Sequence, residues 1–113
     1  METKRHLKRR HLVFYLKVFD TRTRQYIGHL SDITTEGVMV KSDQWLETGI
    51  EYHLKIELPT PVRNREIIEF RCRSVWCRKK PKSAYFSTGF QILEISSEDK
   101  EVIEYLINTY KIK

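Results

Sequence analysis

The chain has 113 residues, with 21 Lys+Arg against 15 Asp+Glu and two cysteines. That is the length of one domain, and 40% hydrophobic with 32% charged is the composition of a folded chain, not a disordered one. Two cysteines exclude a disulfide framework, and no apolar run is long enough for a transmembrane helix. The basic start METKRHLKRRH lacks the apolar core of a secretory signal, so the cytoplasm is the expected compartment.

The formal charge of +6 is lopsided. Lys4, Arg5, Lys8, Arg9 and Arg10 crowd the first 11 residues against Glu2 alone. Such an arm calls for an anionic partner and argues against a basic face spread over the whole domain. It is too charged to order itself by burial and is expected to be flexible.

From Leu12 the pattern has period two. Leu12, Phe14, Leu16 and Val18 share one face of a first strand running to Phe19. Residues 20–24 read as a polar turn, Tyr26 to Asp32 as a second strand, and Val38 to Lys41 as a third. In the fourth, Tyr52 to Leu58, the outward residues are His53, Lys55 and Glu57. Pro59 and Pro61 are expected to stop that strand, because proline donates nothing to a ladder.

Glu66 to Arg78 is a fifth strand, with Ile68, Phe70, Cys72, Ser74 and Trp76 on one face. After the charged turn around Pro81, a sixth strand carries Ala84, Phe86, Thr88, Phe90 and Ile92 on one face. The period then changes. Ser96 or Ser97 can cap a helix over Glu98–Tyr110, with Val102, Ile103, Leu106, Ile107 and Tyr110 as its apolar stripe. The expected fold is all-β with one C-terminal helix: a six-stranded antiparallel barrel behind a basic arm. As one domain it divides into arm 1–11, barrel 12–94 and helix 96–110.

Two constellations can carry chemistry. Arg5 and Arg9 stand four apart in the arm, and a guanidinium fork matches phosphate oxygens or the O6/N7 edge of guanine. Asp32-Ile33-Thr34-Thr35-Glu36-Gly37 lies between the second and third strands. There an Asp can accept from the N1–H and N2–H₂ edge of guanine. The Thr34 hydroxyl can support the turn or donate to a ligand, and Gly37 permits close backbone approach. Taken singly, each also reads as a solvated tail or a plain Asx-type turn.

Taken together, RxxxR, a strand, Asp-x-Thr-x-x-Gly and a barrel ending in a helix resemble the PilZ domain family. Its signature is RxxxR followed by [D/N]xSxxG, here with Thr34 in the serine position. Gly49, Ser74-Val75-Trp76 and Thr88-Gly89-Phe90-Gln91-Ile92 add weaker matches, so the resemblance covers essentially the whole chain. It implies a split barrel that binds cyclic di-GMP. Arg5 and Arg9 would clamp phosphates and guanine edges, Asp32 would read a guanine, and Thr34 and Gly37 would complete the turn. Lys4, Arg10, Arg71 and Arg73 are further candidates for the ligand. The implied activity is that of a receptor or adaptor whose arm orders on the nucleotide and which signals in trans to an unidentified downstream protein.

Two other readings compete. One is an OB-like single-stranded nucleic-acid binder, with Arg63, Arg65, Arg71, Arg73, Arg78, Lys79, Lys80 and Lys82 lining a groove. Against it, acids are interspersed through the barrel and Phe14, Phe70, Phe86 and Phe90 fall on core faces, which disfavours a nucleic-acid polymer as partner. The other is a PilZ-like adaptor that binds no nucleotide. No enzyme is expected. His6, His11, His29 and His53 show no metal spacing with the cysteines, and no nucleophile set or cofactor motif stands out. Cys72 and Cys77, five apart, would fall on opposite faces of a regular strand. Trp45 and Trp76 read as packing residues.

Overall fold

The computed structural model describes residues 16–109. The elements are β1 (Lys17–Asp20), β2 (Gln25–Ile33), β3 (Gly37–Ser42), β4 (Glu51–Val62), β5 (Arg65–Lys79), β6 (Phe86–Ile95) and α1 (Ser97–Thr109). The strands close into an antiparallel barrel in the order β1-β2-β3-β6-β5-β4. The arm with Lys4, Arg5, Arg9 and Arg10, the start of the first expected strand at Leu12–Tyr15, and Tyr110 lie outside the described residues.

The interior is built by the alternation seen in the sequence. Val18, Leu30, Val40, Leu54, Ile56, Ile68 and Cys72 are fully buried. Each such apolar side chain contributes roughly 1.5–3 kcal/mol over its exposed state. Val102, Ile103 and Leu106 of α1 join the same core, so the helix seals the barrel.

Ser96 is the cap of α1. Its Oγ accepts from the Asp99 N–H at 3.1 Å, and its carbonyl accepts from Lys100 N–H at 2.9 Å. The Asp99 carboxylate instead crosses to the barrel wall. Its Oδ2 accepts the Glu69 N–H at 3.0 Å, and Oδ1 lies 2.8 Å from Arg65 Nε. A second pair, Arg63 with Glu101 at 3.5 Å, joins the same hairpin to the helix.

Pro59 and Pro61 do not stop β4, which runs on to Val62. The ladder is interrupted there instead: pairing with β5 lapses after Glu57 and resumes at Val62↔Arg65. The prolines therefore sit where no ladder N–H is required. The hairpin closes through Arg63 and Asn64, both at positive φ (50° and 65°), as a two-residue turn needs.

Besides the bulge at Ile27, where β2 pairs with β1, three further bulges break the strict alternation and decide which side chains face outward. In β2 the register passes from Leu30↔Val40 to Asp32↔Met39, so Ser31 is extra. Leu30 and Ser31 both point inward, and Asp32 is turned out. In β5 the register passes from Ser74↔Phe90 to Trp76↔Gly89, so Val75 is extra. Trp76 thereby leaves the inward face expected for it, and Cys77 joins that face, with the Thr88 hydroxyl 3.3 Å from its sulfur. Cys72 and Cys77 are thus not on opposite faces. A third bulge, at Leu93, lies in β6 between the partners of Arg71 and Cys72.

Candidate functional site

Because of the two bulges in β2 and β5, one row of residues crosses four strands on the outer face. Asp32 opposes Met39, Met39 opposes Gly89, and Gly89 opposes Trp76. Around this row lies a depression of about 370 Å³, lined among others by Asp32, Thr34, Gly37, Met39, Trp76 and Gln91. It joins the turn motif to the Ser-Val-Trp strand, two features far apart in sequence.

Asp32 is exposed, and its Oδ1 accepts the Ile33 N–H at 2.8 Å. Thr34 organises the turn. Its Oγ1 accepts from the N–H groups of Glu36 (3.1 Å) and Gly37 (3.0 Å) and donates to the Gly37 carbonyl at 3.2 Å. Its backbone N–H also donates to that carbonyl at 2.8 Å. A hydroxyl has one proton, so Thr34 shapes the loop and has no donor left over for a ligand in this state. Of its two possible roles, the structure shows the supporting one.

Gly37 is explained by packing. A Cβ there would lie 2.6 Å from the Phe90 carbonyl oxygen, so β3 and β6 can pair at this point only without a side chain. Gly89 has a parallel reason. A Cβ would come within 2.4 Å of Trp76 Cε2, so the indole rests directly on the glycine. The Arg78 guanidinium covers the ring with its carbon 4.5 Å from the centroid. Gly49 is the turn glycine, with φ of 78°.

Arg71 and Arg73 sit on the neighbouring outer rows of β5. Arg71 reaches Glu51 at 3.0 Å and Glu94 at 3.2 Å, and these bonds hold its guanidinium pKa above the usual value. Arg73 opposes Gln91, at the rim of the depression, and lies 3.5 Å from Glu51. The groove imagined for a nucleic-acid strand is thus half neutralised, since Arg63, Arg65, Arg71 and Arg73 are all paired with carboxylates.

Met39, Gln91 and Trp76 were not foreseen as site residues. Trp76 had a readable signal: an aromatic whose cross-strand partner is glycine has room to lie flat on the sheet. No group of three His, Cys, Asp or Glu is placed to hold a metal among the described residues. Nor is any helix among them long and apolar enough to cross a membrane. Burial pushes the Cys72 thiol up to about 12.

Residues 3–109 match the PilZ domain. The chain belongs to the PilZ family. PilZ domains commonly bind cyclic di-GMP and are typically receptors without catalytic activity. The fold is similar to that of the Bacillus subtilis inhibitor of motility MotI/DgrA, with a TM-score of 0.67 and 21% identity. The likeness covers 83% of this PilZ chain and 46% of the Bacillus one, so this chain spans less than half of that protein. No curated protein matches in sequence.

Proposed function

We propose that this PilZ domain is a cyclic di-GMP receptor that acts as an adaptor toward a partner protein. Asp32, Thr34 and Gly37 form the rigid half of the binding site. Arg5 and Arg9 supply the other half, with Lys4, Arg10 and Arg73 as auxiliary cations. Arg71 contributes to the ligand only if it gives up Glu51 or Glu94.

The observation that carries this reading is where the barrel receives its N-terminal segment. The Leu16 carbonyl accepts the Leu30 N–H at 2.8 Å, two residues from Asp32 on the same strand. Arg9 precedes Leu16 by seven residues, a reach of at most about 25 Å when extended. Arg5 reaches farther still. Both arginines can therefore meet a ligand seated on the Asp32–Trp76 row without any change in the barrel.

In this mechanism the dianionic ligand bridges the two halves. Guanidiniums of the arm make charge-assisted bonds to phosphate and guanine, while Asp32 accepts from a guanine edge. These contacts oppose an ordering cost of roughly 1–2 kcal/mol for each backbone residue fixed. The result is a composite surface of arm, nucleotide and barrel that a partner can read.

Titration calorimetry tests it. The expected outcome is binding of cyclic di-GMP that disappears in Arg9→Ala and in Asp32→Ala. Absence of heat with the wild-type chain at high micromolar nucleotide would sink the reading and leave a PilZ adaptor that works without nucleotide.

A further inference from the structure

The row beside the candidate site has a different character. His29 opposes Lys41, Lys41 opposes Ser87, and Ser87 opposes Arg78. It lies two positions along β3, β6 and β5 from Met39, Gly89 and Trp76, about 7 Å on an extended strand. Lys79, Lys80 and Lys82 continue it onto the β5–β6 hairpin. That tip is ordered by Ser83, which donates its N–H to Lys80 O at 3.0 Å and accepts from Tyr85 N–H at 3.0 Å.

Lys41, Arg78, Lys79, Lys80 and Lys82 are all exposed, and among the described residues none has a carboxylate within ion-pair distance. The contrast with Arg63, Arg65, Arg71 and Arg73 on the far side is sharp, because each of those is paired. Burial, and then the charge of Lys41, hold the His29 pKa below its usual value. Five cations with no carboxylate partner among the described residues exceed what one dianionic nucleotide needs, and the arm already brings its own.

We infer that this cationic rim, from Lys41 across Arg78 to the Lys79–Lys82 hairpin, is the docking surface for an acidic segment of a partner protein. A nucleic-acid strand fits less well. Stacking needs an open aromatic face, and Trp76 lies between Gly89 and Arg78. Tyr85, at the rim, is engaged in a T-shaped ring contact with His29, centroids 5.9 Å apart. What the rim offers is a cluster of ammonium and guanidinium donors on two strands and a hairpin tip, suited to several carboxylates of one segment. Its place beside the nucleotide face lets one partner touch both, and that coupling rests on the reading proposed above.

The test uses fluorescence anisotropy of a labelled polyglutamate peptide on the full chain, at about 50 and about 200 mM salt. The K79E/K80E/K82E variant is expected to lose about tenfold or more in peptide affinity. The charge-matched K17E/K55E/K100E variant, with its changes scattered, is expected to stay within about threefold of wild type. Equal losses in both variants would overturn the proposal, since bulk charge would then explain the binding. So would tighter binding of a single-stranded oligonucleotide than of the peptide, which would make the rim a nucleic-acid surface. Peptide binding is read first without nucleotide and then with it. K79E/K80E/K82E leaves the depression intact and should keep the wild-type response to cyclic di-GMP in calorimetry. Failure of the rim and failure of nucleotide binding are therefore separate results.

Discussion

The carbonyl oxygen of Phe90 occupies the space that a side chain on residue 37 would need, 2.6 Å from where the Cβ would stand. The signature glycine of the turn is therefore required by the barrel itself, before any ligand arrives. Gly37→Ala should separate β3 from β6 locally, at a cost of about 1–3 kcal/mol. A thermal melt should show Tm lower by roughly 5–15 °C. An unchanged Tm would mean that β6 yields freely at this point.

Thr34 makes a second prediction. Thr34→Ser keeps the hydroxyl and should keep both stability and nucleotide affinity. Thr34→Val keeps the shape and removes the three hydroxyl bonds of the turn. The turn is exposed, so water compensates in part and the loss should be about 1 kcal/mol. Urea denaturation gives the stability, and calorimetry shows whether Asp32 remains positioned for cyclic di-GMP.

Asp99 links helix to wall, and its two bonds can be told apart. Asp99→Asn keeps an acceptor for the Glu69 N–H and loses the ion pair with Arg65. The Arg65 side chain is 41% exposed, so the cost should stay below about 1 kcal/mol. Asp99→Ala leaves the Glu69 N–H without its partner and should cost about 1–3 kcal/mol in chemical denaturation.

Cys72 should be inert in the folded chain. Its side chain is fully buried, and burial raises its pKa from 9.0 to about 12. The folded state then holds the thiol proton where the unfolded state releases it. Stability linked to this group is intact below about pH 9 and erodes as pH rises from there toward 12. Mass spectrometry after iodoacetamide at pH 8 should find Cys72 unmodified until urea is added. Cys72→Ala should flatten the alkaline decline.

Much of this architecture was written in hydrophobic periodicity. Alternation over Tyr52–Leu58 and the helical stripe from Val102 to Leu106 follow directly from burying one face of each element. The switch at Ser96 was legible as a cap. The prolines are poor stop signals here, because the ladder lapses where they sit. The turn motif was visible, but its chemistry was not: the occupied proton of Thr34 and the Phe90 oxygen behind Gly37 depend on neighbours distant in sequence. Least legible was the outer row. Period-two reasoning assumes regular strands, and Ser31 and Val75 each add one residue that no propensity marks. Strict alternation would place Trp76 on the inward face, and the extra Val75 turns it out.

The two bulges set an uneven tolerance in the site. Ser31 and Val75 are the extra residues, so substitutions there leave the layout alone. Deleting Ser31 would make the strand regular and leave Asp32 next to the inward Leu30, still opposite Met39 and facing out. Deleting Val75 would likewise leave Trp76 opposite Gly89. The damaging change is loss of a bulge with its residue kept: regular alternation would then turn Asp32 toward the oily interior, where an unpaired carboxylate is strongly disfavoured. Among related sequences, a gap of one position at either place would therefore mark a chain that has lost the bulge and kept its outer row.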